Sequence, residues 1–167
     1  MKLAKSEISS IIAFICNMVL AYIAYAICRI AYLFVNYSTF SEGLGALSWL
    51  TVLKGCWMFD TSAILYTNLL FALLMLLPCH LKEKDGWQTF AKWVFVVVNS
   101  LAVIVNLADA VYFQYTGRRT TASVFQEFSH EDNLSGIFGV EILNHWYLVI
   151  LGILLIAALI YLYVKPH

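Results

Sequence analysis

The chain has 167 residues, of which 62% are hydrophobic and only 12% charged, with ten basic and ten acidic side chains. Its mean hydropathy is +0.82. A soluble domain carries about 25% charged residues, so this composition excludes an ordinary water-soluble domain. Zero net charge removes the electrostatic case for nucleic-acid binding.

Four stretches contain no Lys, Arg, Asp or Glu: residues 8–28, 61–81, 93–108 and 142–164. A membrane-crossing helix needs about 20 apolar residues, and the third stretch reaches that length by running through Asp109 to Tyr115. The pattern predicts an all-α polytopic membrane protein, a four-helix bundle in one domain covering 1–167. Its spans are expected at about 8–35, 50–78, 90–115 and 140–164. The first apolar run is too long for the core of a signal peptide, and no small-residue cleavage site precedes Arg29. Along the first span, Ala13, Asn17, Ala21, Ala24 and Cys28 form a stripe of small side chains suited to close helix contact.

Odd spans end and even spans begin on the same side. Lys2, Lys5, Lys82, Lys84, Lys92 and Lys165 therefore share one face, and Arg29, Lys54, Arg118 and Arg119 the other. With the acids counted, the faces carry +3 and −3. The positive-inside rule then puts both termini in the cytoplasm. The connections are a short outer loop over 36–49, a tight inner turn over 78–88 and a long outer connection over 116–139. In the last, Val124, Phe125 and Phe128 fall at helical spacing and predict a short interfacial helix over 120–130. Trp49, Trp57, Trp87, Trp93 and Trp146 lie near span ends, as an aromatic belt does. The four cysteines form no metal-binding spacing and read as ordinary membrane-helix residues.

The polar residues inside the spans are the informative ones. Asn99, Ala102, Asn106 and Asp109 occupy one arc of the third helix. In the fourth span Glu141, Asn144 and His145 share a face. The odd/even rule places Arg29, Asp60, Asp109, Glu141 and His145 in the same half of the bilayer. An unpaired carboxylate in hydrocarbon costs several kcal/mol, so these groups must meet. Two readings stay open. One is a structural ion-pair network, Arg29 with Asp60 or Asp109, which would suit a free-standing scaffold or assembly subunit. The other is a site for an anionic lipid headgroup, with Arg118 and Arg119 forking onto phosphate. A transporter is disfavoured because the other half of each span is nearly all apolar apart from Asn17 and Asn68.

Two segments carry a family resemblance. One runs Phe59-Asp60-Thr61-Ser62-Ala63 at the start of the second span. The other runs Asp109-Ala110-Val111-Tyr112-Phe113 at the end of the third, followed by Gly117-Arg118-Arg119. Together they resemble the N-terminal membrane domain of the lipoteichoic acid synthase family, membrane-anchored sulfatase-like enzymes, in the form found in Bacteroidetes-type bacteria. The likeness covers about residues 50 to 130. It departs in one place: an Arg commonly precedes the Phe-Asp pair, where this chain has Met58, so an Arg partner for Asp60 must come from elsewhere. The resemblance implies a multi-pass protein of the bacterial cytoplasmic membrane, the anchor of a transferase of phospho-headgroups or a sulfatase-like hydrolase. Its catalytic domain, with its divalent metal, would be a separate extracytoplasmic unit that this sequence lacks. By that reading the chain is a truncated membrane domain, catalytically inert and without a cofactor of its own. Its partners would be a membrane phospholipid and the missing domain. The candidate headgroup residues are Arg118, Arg119, Asp60, Asp109 and Asn106, with Arg29, Glu141 and His145 completing the polar cluster.

Overall fold

A computed structural model describes residues 2–41, 46–76, 84–116, 140 and 143–166. All secondary structure among them is helical: α1 (Lys2–Val35), α2 (Tyr37–Ser41), α3 (Ala46–Thr67), α4 (Leu69–Leu76), α5 (Asp85–Thr116) and α6 (Trp146–Tyr161). Each long helix is apolar around most of its circumference, so neighbours rather than water select the buried face. On α1 the small-residue stripe Ala13, Asn17, Ala21, Ala24 and Cys28 is buried, while Ile8, Ile11, Ile12, Ile15, Val19 and Ile23 point outwards. Small side chains let backbones approach and gain dispersion contacts, whereas isoleucine is at no disadvantage against lipid tails. α5 is the other central helix. It packs extensively on α1 and on α6, and it also contacts α4. The face of α6 that meets it repeats at helical spacing, Leu148, Gly152, Leu155 and Leu159.

The expected four crossings are only partly realised. Two helices are long and apolar enough to cross a membrane, Ile8–Val35 of α1 and Asp85–Gln114 of α5. The second expected span is not continuous: α3 and α4 are bent by 56° at Asn68 and count as one crossing only as a broken pair. No proline or glycine sits there. The Ile64 carbonyl is instead crowded by three donors, the Asn68 N–H, the Asn68 side-chain amide at 3.0 Å and the Thr67 hydroxyl at 3.3 Å. Thr67 also bonds the Ala63 carbonyl at 2.8 Å. Side-chain donors that return to the preceding turn bend helices. The fourth expected span is cut to the 16 residues of α6, about 24 Å against a hydrocarbon core of about 30 Å. It stops because the chain over 162–166 leaves the helix to pair with α1 through Val164. Pro166 then disfavours helical backbone at Lys165.

Smaller differences concern the connections. The connection over 36–49 holds α2, docked by Phe40 stacked on Phe113 at 5.6 Å. α5 starts at Asp85, earlier than expected, with an acid favourably placed in its first turn. Trp87 secures that turn by donating to the Leu74 carbonyl at 3.0 Å. The expected interfacial helix over 120–130 lies outside the described residues.

Candidate functional site: a polar seam with a buried ion pair

The half of the bundle away from the chain termini holds Arg29, Asp60 and Asp109. On α1, Arg29 follows the small-residue stripe by one position. Its guanidinium forks onto Asp60 of α3, with Nε donating to Oδ2 at 3.1 Å and Nη2 donating to Oδ1. The side chains are 10% and 16% exposed, and the guanidinium also lies 5.7 Å from the Tyr32 ring centre. Two parallel N–H···O bonds between opposite charges form the strongest neutralising arrangement open to a membrane-embedded pair. Asp60 thus draws its arginine partner from α1.

Asp109 of α5 is 4% exposed and makes interactions of its own. Asn106, one turn earlier, is half-buried and donates to the Ala102 carbonyl of its own helix at 2.9 Å. His145 precedes α6, with its ring 5.9 Å from that of Tyr147. Arg118, Arg119 and Glu141 lie outside the described residues. Of the sequence-derived set, the structure joins Arg29 to Asp60, buries Asp109 at α5's far end and leaves Asn106 bonded to its own helix.

Around this group the last turn of α1 is closed off. A helix leaves its last four carbonyls without partners. Here the Asn36 amide donates to Tyr32 O and across to Ala110 O of α5, both at 2.9 Å, and Gln114 of α5 donates to Val35 O at 2.9 Å. Tyr32, Phe40 and Phe113 pack ring to ring over the same junction.

Further polar links run down the bundle. Asn68 and Asn99 exchange side-chain amide bonds at 3.1 and 2.7 Å, tying the α3–α4 junction to α5. Asn99 also donates to Phe95 O at 2.8 Å. Asn17 grips the backbone of Val164 at both ends, donating to its carbonyl at 2.8 Å and accepting from its N–H at 2.9 Å. The amide pairings were not readable from sequence, because Asn68 is displaced from the polar face of its own span and the partner of Asn17 is a main chain. The available signal was only that an amide inside a span must bond to something.

These residues form a hydrogen-bonded polar seam between the helices. Among the described residues no group of three or more His, Cys, Asp or Glu side chains comes together to hold a metal. No family model matches the chain, and neither a curated protein nor a solved structure shows significant similarity to it.

Proposed function

We propose that this chain is a membrane anchor module that crosses the bilayer four times, through α1, the broken pair α3–α4, α5, and α6 with its flanks. The observation that carries the anchoring role is the inverted distribution of polarity. Isoleucine, valine and leucine face outwards along α1, α5 and α6, while Asn17, Asn68, Asn99, Asp109 and the Arg29–Asp60 pair are turned inwards. Water would reward the opposite arrangement, and a lipid solvent requires this one. The lysine count favours both termini in the cytoplasm.

The two motifs around Asp60 and Asp109 support a more specific role: the membrane part of a phospho-headgroup transferase or sulfatase-like enzyme, with the chemistry in a separate domain. In that role Arg118 and Arg119 would hold the phosphate of a membrane lipid. Asp60 is a weaker headgroup candidate than the motif implies, because both its oxygens are engaged by Arg29. The test is native mass spectrometry from gentle detergent, wild type beside Arg118→Ala/Arg119→Ala. Retained phospholipid that disappears in the double variant is the expected result, and its mass names the headgroup class. Equal retention in both proteins, or none in either, would remove the headgroup role and leave an anchor or assembly subunit.

A further inference from the structure

The two halves of the broken pair are held very differently. α4 packs on both α1 and α5, and it buries Phe71, Leu74 and Met75. α3 packs on α1 and α4. Among its described side chains only Ile64 is fully buried, while Phe59 and Tyr66 are 71% and 81% exposed. Between the halves lies a one-residue break with a 56° bend. The residue at the break is the one whose amide is locked to Asn99 of α5. Beyond it α3 is tied back to α1 by the Arg29–Asp60 fork and by Tyr22 against Trp57, ring centres 5.9 Å apart.

We propose that α3 is a hinged arm, with Asn68 as its pivot and the Arg29–Asp60 pair as its latch. A pivot must stay fixed while the segment beyond it turns, and Asn68 is fixed by reciprocal amide bonds at a residue that is 1% exposed. A latch must be strong when closed and localised enough to release as a unit. A bidentate charge pair meets both conditions, whereas burial spread along a helix does not. Rotation would widen the space between α3 and α5 and leave the packing of α4 in place. The device is independent of any headgroup role for Arg118 and Arg119.

The test is distance measurement between paired spin labels in lipid nanodiscs, with the native cysteines replaced. Leu53→Cys with Leu101→Cys reports α3 against α5, and Leu73→Cys with Leu101→Cys reports α4 against α5. All three positions face outwards. Leu53 lies fifteen residues from the pivot, a lever of about 22 Å, so a swing of about 15° moves it by about 6 Å. We expect Asp60→Asn to lengthen and broaden the α3–α5 distance by that order while the α4–α5 distance holds. The exchanged pair Arg29→Asp/Asp60→Arg should restore the wild-type distribution. An unchanged α3–α5 distance in Asp60→Asn would mean that the bend is rigid. Movement of both distances together would mean general loosening. Either result overturns the proposal.

Discussion

The two ends of the bundle are built from different interactions. At the end carrying the termini, Phe14, Phe71, Phe95 and Tyr163 bring α1, α4, α5 and the C-terminal segment together. Ring centres there lie 4.9 to 6.2 Å apart. Asn17 clamps Val164 beside them, and Lys92 lies 5.8 Å from the Tyr163 ring centre. At the opposite end a charge pair joins α1 to α3 and amides seal the last turn of α1. The first end is held mainly by aromatic packing shared among several segments, the second by a charge pair and a few localised amide bonds. Packing shared among several helices gives way cooperatively, when those helices come apart together. A single charge pair fails all at once and only locally. The terminal end is therefore the foundation of the bundle, and the opposite end the part able to change.

The largest effect should come from the foundation. Phe71 is 1% exposed and touches rings from three other segments. Phe71→Ala would leave a cavity that lipid cannot fill. The loss should be about 3 kcal/mol, the low end for such truncations, because little water-transfer energy is at stake inside a bilayer. Thermal unfolding in detergent should show one transition at lower temperature. A two-step transition would mean that the ends are not coupled through this cluster.

Asp60→Asn should cost less, about 2 kcal/mol, by leaving a partly buried guanidinium without its counter-charge. The double variant Arg29→Met/Asp60→Leu should recover most of that loss in the same measurement, since it removes the charge rather than stranding it. If Asp60→Asn proves more damaging than Phe71→Ala, the charged end governs stability and the comparison is reversed.

What was legible in the sequence follows the same division. Apolar patterning reveals α1 and α5, although the α5 run reaches spanning length only through Asp109, because a long helix needs no partner to declare itself. The small-residue stripe of α1 was visible for the same reason, being a property of one helix face. Counting spans brought Arg29 and Asp60 to the same depth, without choosing between Asp60 and Asp109 as partner. The break at Asn68 was hidden: its cause is three donors converging on the Ile64 carbonyl, not a proline or glycine. The end of α6 was hidden too, because it depends on Asn17, 147 residues away in the chain. The long apolar runs and the single-face stripe could be read in advance, whereas the local crowding at Ile64 and the contacts that need two segments to meet at a given side chain could not.

Gly152 lies on the seam between α5 and α6 and should give the smallest effect. A Cβ built there would meet the Leu107 Cδ1 at 3.2 Å, tighter than ordinary contact. The atom it meets is the tip of a flexible side chain, so a rotamer adjustment of about 0.5–1.5 kcal/mol can absorb it. Against that stands the gain of about 1 kcal/mol in helix propensity from glycine to alanine. The two nearly cancel, and Gly152→Ala should change stability by less than about 0.5 kcal/mol on that balance. A larger side chain has no such escape: Gly152→Leu should push α6 off α5 and lower the unfolding temperature clearly. If Gly152→Ala already destabilises as much as Asp60→Asn, Leu107 is held immovably. The close-packed foundation then extends along the whole α5–α6 contact, and the changeable part of the molecule is confined to α3.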